Sequence, residues 1–135
     1  MIQRIQTVFL LLALICNTLV YFTPIYSRAI EDPQQWIGIG LALSLVIAAL
    51  LSVYSIFLFK KRKTQIAWVK KAALVEVVAL GFSSGVFFSL GGIGTYLWDE
   101  AIGTGLIVLS FAFQLLALKF INKDEKLVKS IDRIR

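Results

Sequence analysis

Residues 33–63 read PQQWIGIGLALSLVIAALLSVYSIFLFKKRK, and this stretch decides the fold. From Pro33 to Phe59 no side chain is charged, and then Lys60, Lys61, Arg62 and Lys63 follow in a row. A helix needs about 20 apolar residues to cross the roughly 30 Å hydrocarbon core of a bilayer. The run is long enough to span with some tilt, and Asp32 and Pro33 supply a cap and a first turn for its start. The basic cluster after Phe59 then marks a cytoplasmic boundary.

Working outward, further charge-free runs occupy residues 5–27, 77–98 and 101–118. Trimmed at their ends, the four runs predict spans of about 5–24, 34–59, 72–93 and 100–120, with Lys119 snorkelling at the end of the last. The expected fold is all-α: an integral membrane four-helix bundle forming a single transmembrane domain. Of 135 residues 59% are hydrophobic, against roughly 45–50% in soluble domains, and the length leaves no room for a second domain. Arg4 before an apolar stretch imitates a secretory signal, but no small-x-small cleavage site follows, so the first helix reads as an uncleaved span.

Charge gives the orientation. Thirteen of the fourteen basic residues fall at the amino end, in the loop between the second and third spans, or in the tail; only Arg28 lies on the other side. Under the positive-inside rule both termini are cytoplasmic. Tyr21, Tyr26, Trp36, Tyr96 and Trp98 fall at the outer boundary and Trp68 near the inner one, as an interfacial aromatic belt does. The basic residues Arg4, Lys60, Lys61, Arg62, Lys63, Lys70, Lys71, Lys126, Lys129, Arg133 and Arg135 are candidates for binding anionic lipid headgroups or a protein partner at the inner face. Beside apolar runs, the net charge of +6 points to membrane topology and not to nucleic acid.

Small residues at Gly40, Ser44, Ala48 and Ser52 recur every four positions, and so do Gly81, Gly85 and Ser89. Such ladders keep one helix face shallow and let a neighbouring backbone approach. With the helices antiparallel, Ser52 is expected near Gly81 and Ser44 near Ser89; the alternative use of either groove is homo-oligomerisation.

Glu76 is the one ionisable side chain that interrupts a span, which makes it a candidate intramembrane polar site. Its place close after Lys71 puts it about one turn inside the cytoplasmic boundary, where pairing with a basic side chain competes with proton coupling or substrate binding. The sequence has no histidine, and Cys16 is the only cysteine, a small hydrophobe within the first span. Without histidine, Ser83 and Ser84 have no imidazole base, and the glycines around residues 91–105 match no phosphate-binding loop. No catalytic residue, metal or cofactor is expected, and the chain does not read as an enzyme.

The tail, residues 122–135, opens on Asn122 with Glu125 three positions later, the pattern of a capping box. It predicts a separate short cytoplasmic helix, with Leu127, Val128, Ile131 and Ile134 at helical spacing among basic residues. Such a helix lies on the membrane, docks on the basic loop, or enters a partner's groove.

The segments MIQRIQTVFLLLA at residues 1–13, FKKRKTQI at 59–66 and KDEKLVKSIDRIR at 123–135 resemble a family of small bacterial membrane proteins classed only as a domain of unknown function. The resemblance runs the full length and implies four spans; it carries no activity, cofactor or site. Both terminal motifs fall on the expected cytoplasmic face. The reading that follows is a non-enzymatic accessory or scaffold protein of the bacterial inner membrane, with membrane lipids and a membrane-protein partner or second copy as its contacts. The alternative is a small transporter or lipid-handling protein that uses Glu76.

Overall fold

The computed structural model describes residues 2–23, 35–89 and 98–134. They form four helices: α1 (Ile2–Val20), α2 (Gln35–Phe57), α3 (Arg62–Ser89) and α4 (Trp98–Ile134). Arg28, Tyr26, Tyr96, the Asp32–Pro33 start, the Gly91–Gly94 stretch and Arg135 lie outside the described residues. Each helix packs on two others, α1 on α2 and α4, and α3 on α2 and α4, so the four stand in a ring with α1 opposite α3 and α2 opposite α4.

Every helix turns a seam of buried positions inward at three- and four-residue steps, as a helix buried along one stripe must. On α1 the seam is Gln6, Leu10, Ala13, Asn17 and Val20; on α3 it is Val69, Ala72, Glu76, Ala79, Ser83 and Val86. The buried apolar side chains divide into two clusters. One joins Val20, Leu41, Leu45, Ala79 and Ile107; the other joins Leu10, Ile66, Val69, Ala117 and Ile121. Between them, on each helix, a polar side chain takes the inward position: Asn17, Ser52, Glu76 and Gln114.

Large hydrophobic side chains also cover much of the outward faces. Val8, Ile15, Leu43, Leu50, Leu74, Val78, Val108 and Leu116 are among many large hydrophobic side chains that are exposed. Two helical stretches, Trp36–Phe57 and Ala101–Ile134, are long and apolar enough to cross a membrane, and Ile5–Val20 is a shorter apolar stretch.

Three expectations are corrected. The basic segment expected as a loop is mostly helix: α3 begins at Arg62, ahead of a span expected to enter near Ala72 or earlier, and a tight reversal at residues 58–61 follows α2 directly, tied by Leu58 N–H to Ser55 O and Lys61 N–H to Leu58 O. Lysine and arginine are good helix formers, so the basic segment is helix and not loop. The side-chain amide of Gln65 then donates to the Ser55 carbonyl at 3.0 Å, satisfying an acceptor at the end of α2.

That early start moves the α2–α3 register by roughly three turns. Tyr54 meets Trp68 edge-on at 4.9 Å between ring centroids, and Phe82 lies over Gly40. Ser52 is therefore far from Gly81. Gly81 and Gly85 face open space, where an added Cβ would meet nothing within 4 Å. The close approach is at Gly40 instead, where a Cβ would stand 2.5 Å from the tip of the Phe82 ring. Ser44, Ala48 and Ser52 are buried as a ladder should be; Ser89 ends α3, its side chain outside the described ones.

The tail is not a separate helix. α4 runs unbroken for 37 residues, about 55 Å, through Asn122 and Glu125. No glycine or proline stands between Leu106 and Ile134 to end it.

Candidate functional site

Glu76 is completely buried, and its place on the α3 seam aims it at the centre of the ring. Two amides reach it. Asn17 on α1 donates from Nδ2 to Glu76 Oε2 at 3.1 Å, and Gln114 on α4 donates from Nε2 to the same oxygen at 3.3 Å. The Gln114 Nε2 also lies 3.4 Å from Ser52 Oγ on α2. Asn17–Glu76 joins the opposite helices α1 and α3, and Gln114–Ser52 joins α2 and α4. Contacts across both diagonals meet on the axis, so the polar layer occupies the middle of the bundle.

The layer's remaining groups are hydroxyls and a thiol. Ser52 donates to the Ala48 carbonyl at 2.9 Å, and Ser110, which neighbours the carboxylate, donates to the Ala13 carbonyl at 3.2 Å. Cys16 is buried beside Asn17, within electrostatic reach of Glu76. Three oxygens find no hydrogen-bond partner among the described residues: Glu76 Oε1, Asn17 Oδ1 and Gln114 Oε1. A buried acceptor left unpaired costs about 1–3 kcal/mol. Three in one layer is a concentration that packing alone does not call for.

Glu76 was expected to reach the headgroups or a basic side chain. It does neither: it faces the axis, and the ion pairs among the described residues are Arg62–Asp124 and Lys129–Glu125. Asn17 and Gln114 escaped sequence reasoning, which weighed ionisable groups alone. Their signal was an amide deep within an apolar run, the same kind of costly polar insertion as the carboxylate.

The basic residues gather at the other end of α3. Arg62 Nε lies 3.1 Å from Asp124 Oδ2, fastening the α2–α3 reversal to α4. Lys60, Lys63 and Lys129 line an open groove of about 590 Å³ with Phe59, Val128 and Asp132. Lys71 stands 4.2 Å over the Trp68 ring, while Lys61, Lys70, Lys126 and Arg133 are exposed. Arg4 lies in α1 with its side chain outside the described ones. The apolar residues of the tail are also exposed, Ile131 and Ile134 most of all. Among the described residues no three of His, Cys, Asp and Glu stand together as metal ligands.

The chain matches the family model described as a domain of unknown function (DUF4293), over residues 2–38 and 29–134. No curated protein and no solved structure matches it.

Proposed function

The chain belongs to the DUF4293 family, whose description assigns no activity, and from the axial polar layer we propose that it is a small cation-coupled carrier of the bacterial inner membrane. All four helices span the bilayer, with both termini in the cytoplasm. The thirteen-to-one split of basic charge supports the orientation, and the apolar outward faces support lipid as the surrounding solvent.

One observation carries the functional reading. A carboxylate sits on the axis of the bundle, held by amides from two other helices and flanked above and below by apolar layers. A charge in that place is expensive, and a hydrophobic residue of similar volume would serve packing better. What a carboxylate adds is the capacity to take and release positive charge. Because the layer is tied to all four helices, a change in its charge alters how they pack against one another, which is what coupling requires.

Reconstitution in liposomes tests this. With an imposed proton or sodium gradient, the wild-type chain dissipates one of them and Glu76→Gln does not. Equal leak in wild type, Glu76→Gln and empty vesicles refutes the carrier reading.

A second reading is favoured by a different feature. The end of α4 carries exposed Leu127, Val128, Ile131 and Ile134 beside a charged groove, a surface suited to an accessory or scaffold role at the inner face. Cross-linking in native membranes tests it. A tail truncation that loses no reproducible partner and leaves growth unchanged rules it out.

A further inference from the structure

We infer that the axial layer binds one desolvated monovalent metal cation between the Glu76 carboxylate, the side-chain carbonyls of Asn17 and Gln114, and the hydroxyl oxygen of Ser110. The inference rests on the reading of Glu76 as the charge-accepting group and names what it accepts.

Both amides spend their nitrogens on Glu76 Oε2, which fixes their orientation; turning either one over would set its carbonyl against the carboxylate. Ser52 donates its hydroxyl proton to Ala48, and Ser110 lies within hydrogen-bonding reach of both the Ala13 carbonyl and the Glu76 carboxylate. The atoms of the layer left without any partner are all acceptors: Glu76 Oε1, Asn17 Oδ1 and Gln114 Oε1, on side chains 0%, 1% and 0% exposed. Covalent geometry keeps each amide oxygen within about 6 Å of Oε2, in the same layer.

The occupant must therefore bring positive charge or several donors. A proton on Oε1 supplies a single donor and satisfies one amide oxygen at most, leaving the other unpaired. A metal cation satisfies all three, and oxygen-only ligation suits the hard cations. The charge count then selects valence. One carboxylate balances one positive charge, whereas a divalent ion leaves a net charge between two apolar layers, where it is costly.

Thermal unfolding of the purified full chain in detergent, at matched ionic strength in choline, sodium, potassium or calcium chloride, tests the inference. Sodium or potassium is expected to raise Tm over choline by about 10 °C at a hundredfold excess over its Kd, rising with the logarithm of concentration. Calcium is expected to match choline, and Glu76→Gln and Asn17→Leu are expected to abolish the difference. Should either variant fail to fold, the wild-type comparison still decides. Superimposed melts in all four salts overturn the inference, and water then fills the layer. If they superimpose while proton flux still depends on Glu76, the carrier reading stands with the proton as its ion. A sodium or potassium shift without flux of any ion keeps the site and removes the carrier.

Discussion

Asn17 and Glu76 meet across the bundle, Nδ2 to Oε2 at 3.1 Å, from helices that stand at opposite corners of the ring. A hydrogen bond on a diagonal restrains two helices that otherwise touch little, and it fixes their relative height. Asn17→Leu leaves the buried carboxylate with Gln114 as its remaining amide donor, and the loss of a hydrogen bond to a charged group costs about 2 kcal/mol. The double variant Asn17→Leu/Glu76→Leu removes the charge as well and is expected to recover wild-type stability or exceed it, since apolar replacements of buried charged groups are often neutral or stabilising. Detergent melts of the three proteins check this. A double variant less stable than Asn17→Leu alone would show that the layer exists for stability, against the functional reading.

The glycine positions separate the observed register from the one that the spacing suggests. Gly40→Ala drives a Cβ into the tip of the Phe82 ring, which packs edge-on against the exposed Trp36 at 6.2 Å, so both rings must shift to admit it. The expected cost is about 1–3 kcal/mol. Gly85→Ala meets nothing and is expected to leave the melt unchanged, or to raise it slightly through helix propensity. The reverse order of effects would restore the Ser52–Gly81 register.

These positions also show where the sequence is legible and where it is not. Charge-free runs locate the four helices because a charge among packed apolar side chains is costly whatever the fold. The register of α3 is hidden, because the same basic residues that mark a boundary also form good helix, and Arg62 begins one. Which glycines face a neighbour is hidden too. On α2 and α3 both the inward and the outward faces are apolar, so Gly40, Gly81 and Gly85 have equivalent surroundings in sequence. Glu76 was visible as a polar insertion, but its partners on α1 and α4 are a fold away, separated from it by 59 and 38 positions.

Cys16 reports on the same core. Its thiol is 6% exposed on the α1 seam, beside Asn17, so a maleimide added to the folded protein is expected to leave it unmodified, while unfolding exposes it fully. With Cys16 replaced by alanine, a cysteine introduced at exposed Lys63 gives the topology: an impermeant reagent labels it in inverted vesicles and not in intact cells. Labelling of Lys63→Cys from outside would reverse the orientation of the whole chain.

The unbroken α4 makes an equally sharp prediction at Lys123. Were a new helix to start after an Asn122 cap, position 123 would be its first residue, where proline is favoured because no intrahelical partner is lost. In a continuous helix the same proline removes a backbone hydrogen bond and clashes with the carbonyl four residues before it, at a cost of about 3 kcal/mol and a kink. Lys123→Pro is therefore expected to destabilise the end of α4 and to separate Asp124 from Arg62, whose 3.1 Å ion pair needs that helix in line with the α2–α3 reversal. The ion pair itself is partly exposed, so Arg62→Ala alone costs less than about 1 kcal/mol. Spin labels on α4 at residues 116 and 131 read the difference: one narrow distance near 22 Å in the wild type, from 15 residues at 1.5 Å each, and a shorter, broader distribution in Lys123→Pro. A wild-type distance that is already shorter and broad, and is unchanged with the melt in Lys123→Pro, would mean that the helix breaks at Asn122 and that the tail is free to turn onto the membrane surface.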